Sequence, residues 1–64
     1  MRVGVLKDLK GDEIGTITEE DDGQIVGEGV GERLVRQAPL KTFDDWINHL
    51  HHSTYLRIEE RDGQ

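Results

Sequence analysis

The side chains best suited to chemistry in this 64-residue chain are the histidines of a short stretch in its second half. Asp45, His49 and His52 are spaced at i, i+4 and i+7, which would align them along one side of a helix. Two imidazoles and a carboxylate can hold a divalent transition metal. The HExxH metalloprotease pattern is absent, however, and His52 falls where the helix should end. We therefore interpret the histidines as solvated side chains near a helix C-terminus and expect no metal site.

Candidates for acid–base or nucleophilic catalysis have structural explanations. Asp44 and Asp45 fall in the first turn of the same helix, where a cap and the helix dipole favour acids. Ser53 beside His52 does not make a triad, because nucleophile, base and orienting acid must converge in space. So short a chain also has little room for a ligand cleft of about 300–1,000 Å³. We expect a protein that is not an enzyme, with no catalytic residue and no cofactor.

The segment GEGVG places Gly27, Gly29 and Gly31 in a spacing similar to part of a phosphate-binding loop. The dinucleotide fingerprint needs G-x-G-x-x-G within a complete βαβ unit, which this chain is too short to hold. Glu28 and Glu32 would also repel a phosphate. These glycines are better explained by a sharp turn from a strand into a helix.

Aromatic and arginine side chains are the remaining candidates, because they dominate the hot spots of protein interfaces. We predict Trp46, Tyr55, Arg33 and Arg36 as partner-binding residues. For Trp46 two interpretations stay open: a residue of the core alone, or a core residue with one edge at a partner surface. The Tyr55 hydroxyl needs a polar partner, which favours partial exposure.

The element that must carry these residues is the segment 42–58, which holds the only Phe, Trp and Tyr of the chain. Thr42 followed by Asp45 has the form of a capping box. The apolar side chains that follow recur at i, i+3, i+4 and i+7, which is one face of a helix: Phe43, Trp46, Ile47 and Leu50. Residues 55–58 then suit a strand, so the helix and this strand should share one core.

Hydrophobic periodicity and turn residues predict the order β-β-β-α-α-β in a single domain, residues 1–64. The predicted strands are 2–6, 13–18, 24–27 and 54–60, the helices are 30–38 and 43–51, and 61–64 is a frayed tail. Gly15 should mark a bulge or a close contact. The predicted fold class is α+β, a small antiparallel sheet with one or two short helices packed on one face.

The charge is acidic and unevenly placed, with 14 Asp and Glu against 8 Lys and Arg. Residues 12–32 contain eight acids and no Lys or Arg, whereas residues 33–41 contain three bases and no acid. The acidic block would repel a polyanion, so nucleic acid is not an expected partner, and its simplest interpretation is a solvated face. No apolar run approaches the roughly 20 residues of a membrane span, and no signal peptide is recognisable.

Only 33% of the residues are hydrophobic, which indicates apolar surface completed by a partner or by another copy of the chain. In order, the chain contains LKD after an opening strand, then GDEIGTI, DGQIVGEG, TFDDWINHL and STYL. This order resembles small proteins encoded among the head genes of tailed viruses of actinobacteria and haloarchaea. The resemblance implies a non-enzymatic component of the virion, in the capsid or head-to-tail region, that contacts larger capsid or portal proteins.

A second class of function stays open from the residues. The chain could be a small acidic regulatory or inhibitor module of a prokaryotic cytoplasm that binds a soluble protein, with its acidic block imitating nucleic acid. Reversing the charge of that block should abolish the activity of such a mimic. It should matter less for a subunit that docks through its helix or its sheet edge.

Overall fold

The computed structural model describes residues 1–62 and contains four strands and two helices within that range. They follow in the order β1 (Arg2–Lys7), β2 (Glu13–Glu19), β3 (Ile25–Gly29), α1 (Val30–Gln37), α2 (Phe43–His51) and β4 (Arg57–Asp62). The strands form one antiparallel sheet and both helices pack on the same side of it. The predicted α+β class and the β-β-β-α-α-β order are confirmed.

The sheet has the strand order β3-β2-β1-β4, so the first three strands form a meander and the last strand joins the free side of β1. Gly4 lies opposite Ile17 on β2 and opposite Glu60 on β4. The register of β1 and β2 shifts by one residue after the pair Leu6–Gly15, which leaves Ile14 as a bulge. Of the two alternatives predicted for Gly15, the close contact is found at Gly15 itself, where a Cβ would lie 2.6 Å from the Glu28 carbonyl oxygen, and the bulge falls one residue earlier.

Two tight turns connect the meander, and each uses a glycine with positive φ. Gly11 has φ 92° between β1 and β2, and Gly23 has φ 88° between β2 and β3. In the second turn the Gly23 N–H donates to the Glu20 carbonyl at 2.9 Å, and the Glu20 N–H donates to the Gln24 carbonyl at 2.8 Å. The dipeptide Asp22-Gly23, a sequence favoured in hairpin turns, lies within this turn.

Helix α2 forms because a cap and an apolar face coincide. The Thr42 hydroxyl accepts a hydrogen bond from the Asp45 N–H at 3.1 Å, which fixes the first turn. The helix then buries its apolar face against the sheet, with Ile47 only partly covered. The core residues are Leu6 and Ile17 from the sheet and Phe43, Trp46 and Leu50 from the helix. The aromatic helix therefore organises the core, as its periodicity indicated.

Helix α1 approaches the sheet closely through glycines, and its apolar side chains Val30, Leu34 and Val35 pack against the core while only partly buried. Gly15, Gly27 and Gly31 each lie so close to neighbouring backbone that a Cβ atom would collide with it. Gly29, with φ 61°, is the residue before the helix and turns the chain sharply from β3. The sequence GEGVG thus makes the strand-to-helix turn that was expected of it.

Two boundaries near the end of the described chain correct the sequence analysis. The last strand begins at Arg57 rather than at residue 54, so Tyr55 belongs to the preceding loop. Arg61 and Asp62, expected in a frayed tail, pair with Val3 and Arg2 of β1. The reason is that β4 has a full-length partner strand. The remaining residues of the predicted tail, 63–64, lie outside the described residues.

Candidate interaction surfaces

The side of the sheet that carries no helix is covered by ion pairs instead. Val5 lies on that side, yet it is buried. The Arg61 guanidinium on β4 reaches the Glu13 carboxylate on β2 at 2.7 Å, and so crosses the intervening strand β1. Lys7 contacts Glu59 at 2.8 Å on the same side. A charged cover therefore leaves this face less apolar than its Val and Thr residues suggest.

The Trp46 side chain has 0% of its surface exposed, which corrects its assignment as a partner-binding residue. Its ring lies edge-on to the His49 ring at a centroid distance of 6.1 Å. The indole N–H has no hydrogen-bond partner among the described residues. Of the two interpretations, the core role alone agrees with the structure, because a side chain without exposed surface offers nothing to a partner.

Arg33 and Arg36 are exposed on α1, as a contact role requires. They line a shallow depression together with Ile14, Gly29, Val30 and Glu32. Arg36 forms an ion pair with Glu32 one turn earlier on the helix. Within the described part of the chain, Arg33 forms no ion pair, so its charge remains available to a partner.

Tyr55 is 78% exposed, which agrees with the expected partial exposure. The loop that presents it is fixed locally, because the Ser53 hydroxyl accepts hydrogen bonds from the N–H groups of Tyr55 and Leu56. A hydroxyl that accepts backbone hydrogen bonds in this way stabilises a turn even when no binding partner is present. The aromatic ring is therefore displayed on an ordered loop.

Leu9 is a second displayed apolar side chain, at 63% exposed, and the sequence analysis missed it. The Asp8 carboxylate accepts hydrogen bonds from the N–H groups of Lys10 and Asp12 and so shapes this turn. The available signal was a leucine within a turn sequence, DLKGD, where polar residues are usual.

The loops of Leu9 and Tyr55 border two adjoining depressions, which we call the Leu9–Tyr55 end. Arg57 and Ile58 line both depressions, and Leu9 lines one of them. Ser53 and Leu56, which flank the loop of Tyr55, line the other. Among residues 1–62, Lys10 and Arg57 form no ion pair. The arrangement combines apolar side chains with available positive charge, which suits contact with a partner that is apolar and acidic.

The four predicted contact residues do not form one surface. Arg33 and Arg36 lie on α1, which packs over β3 and β2 at one side of the sheet. Tyr55 precedes β4, which is the strand at the opposite edge of the sheet. The prediction is therefore divided between two places, and Trp46 belongs to neither.

Acidic side chains gather at the other end of the sheet from the Leu9–Tyr55 end. The turn of Glu20, Asp21 and Asp22 directly follows Glu19, which pairs with Arg2. The start of α2 lies at the same end of the sheet, as the 3.0 Å contact between Arg2 and Asp44 shows. Arg2 also contacts Glu60 at 2.9 Å. Hydrogen bonds to Glu60 and then to Asp44 raise the pKa of the Arg2 guanidinium, while Arg2 lowers the pKa of the Glu60 carboxyl.

The histidines lie around the C-terminal end of α2, where His49 is in the helix and His52 is the cap residue. The rings of His51 and His52 lie edge to face at 5.8 Å. Across residues 1–62, no group of three His, Asp or Glu side chains is placed to hold a metal ion. The absence of a metal site stays a prediction, for which zinc titration is the test.

Comparison with models of known protein families, with curated proteins and with solved structures gives no match to this chain. Neither helix within residues 1–62 has the length and apolar character needed to cross a bilayer. The assignment of a function therefore depends on the surfaces described above and on the sequence resemblance.

Proposed function

We propose that this protein is a non-enzymatic subunit of a larger protein assembly, the virion of a tailed virus, where it contacts capsid or portal proteins. The sequence resemblance to small head-region proteins supplies the kind of assembly. The exposed apolar side chains beside available cations support protein–protein docking as the mode of contact. The virion is accordingly the proposed location, after assembly in a host cytoplasm.

The observation that carries the proposal is the Leu9–Tyr55 end. Tyr55 and Leu9 are exposed at 78% and 63%, although the chain has few apolar residues with which to build its core. Both are held on turns that Ser53 and Asp8 organise. A backbone that such hydrogen bonds already fix has less conformational freedom to lose on binding, so more of the contact energy remains as affinity.

The test is binding to assembled particles. Purified heads or virions of the virus that encodes the chain should contain it at a fixed ratio to the capsid or portal protein, measured by quantitative mass spectrometry of gradient-purified particles. Added protein should co-sediment with particles that lack it. Its absence from particles, together with failure to co-sediment, would refute the proposal.

Variants locate the contact. Tyr55→Ala should weaken co-sedimentation by roughly tenfold or more, because an exposed aromatic at an interface centre is a common hot spot. Lys41→Ala is the matched control, since Lys41 is exposed in another loop, and it should bind as the parent does. Both variants should melt close to the parent because neither side chain is buried. Equal binding by both would exclude the Leu9–Tyr55 end as the contact.

A second candidate is the acidic regulatory or inhibitor module that imitates nucleic acid. The observation that favours it is the acidic end, where the β2–β3 turn and the start of α2 bring acids into one region. The proposal would place a nucleic-acid-binding protein against Glu19, Glu20 and Asp21.

Charge reversal separates the two candidates. Glu19, Glu20 and Asp21 are changed together to Lys, and Asp22 is retained because its carboxylate caps the Gln24 N–H at 3.0 Å. The variant should keep its binding to particles if the Leu9–Tyr55 end is the contact. The mimic would be favoured if the parent binds a DNA-handling protein but not the particles, and if the charge-reversed variant loses that binding.

A further inference from the structure

The two edges of the sheet differ in how well they are protected against pairing with another strand. Five of the six residues of β4 are charged, in the sequence RIEERD, and charged side chains discourage the addition of a strand. Strand β3 has the sequence IVGEG with a single charge, Glu28. The edge at β3 is therefore the one open to a further strand.

The hydrogen-bond pattern shows which backbone groups that edge presents. Glu20 donates to the Gln24 carbonyl, and bonded pairs alternate along an antiparallel ladder, so Thr18–Val26 is the next bonded pair. The N–H and C=O groups of Ile25 and Gly27 consequently point away from β2, toward the outside. Val26, whose side chain is 36% exposed, lies between them.

We infer that a second copy of this chain pairs with β3 along this edge, antiparallel and about a two-fold axis at Val26. In that register Ile25 of each copy faces Gly27 of the other, and each such pair exchanges two N–H···O bonds. Val26 of one copy lies against Val26 of the other, which is a favourable cross-strand pair of β-branched side chains. Glu28 then faces Gln24 of the second copy, with no charge conflict.

Charge complementarity identifies the occupant as a second copy. The same register places Gly29 opposite Gly23 of the second copy, so the acidic turn before that Gly23 approaches the start of α1. Arg33 and Gly29 line one depression there, and Arg33 forms no ion pair among the described residues. Asp21 is exposed, and within residues 1–62 its single ionic contact is the amino group of Met1, at 3.0 Å. Arg33 and Asp21 of opposite copies therefore complement each other at both ends of the pairing.

This self-pairing uses β3 and α1 and leaves the Leu9–Tyr55 end uncovered, so it can hold or fail independently of the proposed function. The first measurement is sedimentation equilibrium of the full chain up to about 1 mM, where weak association is detectable. The expected mass is twice that of the 7.3 kDa chain. A single monomeric species throughout would overturn the inference.

Substitution of Val26 locates the contact. Val26→Lys should raise the dissociation constant by about tenfold or more, because two like charges would lie directly opposite each other at the axis. Val26→Thr is the matched control, since it keeps a β-branched side chain of similar size and should leave the dimer in place. A dimer equally strong in Val26→Lys would overturn the assignment to β3.

A charge exchange tests the register. Arg33→Asp and Asp21→Arg should each weaken the dimer several-fold, and the double variant should restore it while keeping the parent's net charge. Hydrogen exchange gives a readout independent of substitution: the Ile25 and Gly27 amides should become protected as concentration rises. Failure of the double variant to recover, or amides that exchange rapidly within a dimer, would overturn the proposed pairing.

Discussion

Helices α1 and α2 pack on the same side of one sheet by opposite means. Helix α2 packs through large side chains, with Phe43 and Trp46 fully enclosed above β1 and β4. Helix α1 packs through close backbone approach, because Gly31 lies against the backbone of Thr16 and Gly27 lies beneath the helix, and its own apolar side chains are only partly buried. One contact depends on buried apolar area, and the other depends on close backbone approach.

This difference teaches that a small acidic chain need not distribute its few apolar residues evenly. The buried aromatic side chains, Phe43 and Trp46, both lie in the α2 half of the helical layer, where burial of each ring contributes most to stability. The other half has only partly buried apolar side chains, and its glycines let the helix approach the sheet closely. The two halves should therefore respond differently to substitution.

The largest expected effect is on the α2 side. Trp46→Ala should lower the free energy of unfolding by about 3–5 kcal/mol, because it leaves a cavity in the core and removes the largest buried side chain. That loss is comparable to the whole stability of a small domain. Thermal unfolding followed by circular dichroism measures it. A variant that melts within a few degrees of the parent would show that the aromatic core does not hold this side.

The α1 side should be sensitive to a single added methyl group. Gly31→Ala places a Cβ against the Thr16 carbonyl oxygen, and we expect a loss of about 1–3 kcal/mol as the helix shifts away. Gly11→Ala is the control, because its site is open and only the positive φ opposes a side chain. Chemical denaturation of both variants compares them. Higher stability in Gly31→Ala than in the parent would mean that close approach is not what fixes α1.

Acid should lower the stability of the α2 side more than that of the α1 side. Hydrogen bonds from Arg2 lower the pKa of the Glu60 carboxyl, and hydrogen bonds from Lys7 lower that of Glu59. Because the folded pKa is depressed, the stabilisation is present above the ordinary glutamate pKa of about 4.3 and is lost as pH falls below it.

The Arg2 guanidinium also lies over the Phe43 ring at 4.6 Å, which ties this titration to the α2 side. The melting temperature should therefore decrease as the pH is lowered below about 4.3, and Arg2→Gln should make this decrease smaller. Arg36→Gln, on α1, is the control and should leave the acid dependence as it is in the parent. Identical acid profiles in all three proteins would contradict the assignment.

The smallest expected effect is that of zinc on the outer face of α2. Helix α2 contributes to stability through its buried face, so the exposed His49 and His52 should add nothing to stability when zinc is supplied. The melting temperature should stay nearly constant during titration. A large rise that His49→Ala abolishes would show that the outer face binds metal and contributes to stability.

The sequence predicted α2 well because its signals are local. Thr42 and Asp45 mark its start, and the spacing of Phe43, Trp46 and Leu50 marks its buried face. The end of the last strand was placed two residues early, because Arg61 and Asp62 are polar and only their pairing with β1 makes them a strand. Such pairing depends on residues distant in the sequence, which no local pattern can show.

The candidate contact residues were only partly predictable. Aromatic character alone could not separate Trp46, which is enclosed, from Tyr55, which is displayed, because both are large and amphipathic. The separation depends on the loop that Ser53 organises ahead of β4. Leu9 was not predicted for the same reason: its exposure follows from its place in a turn, beyond the two faces of the sheet.

The pairing of β4 with β1 sets the order in which the chain can fold during synthesis. Residues 2–7 emerge from the ribosome about fifty residues before their second partner strand, residues 57–62. Until then β1 is an edge strand, and the ion pair from Arg61 to Glu13 that crosses it cannot form. A nascent chain that stalls before residue 57 would thus present an unprotected β1 to its neighbours. Completion of the last strand is what makes the finished sheet safe from aggregation on that side.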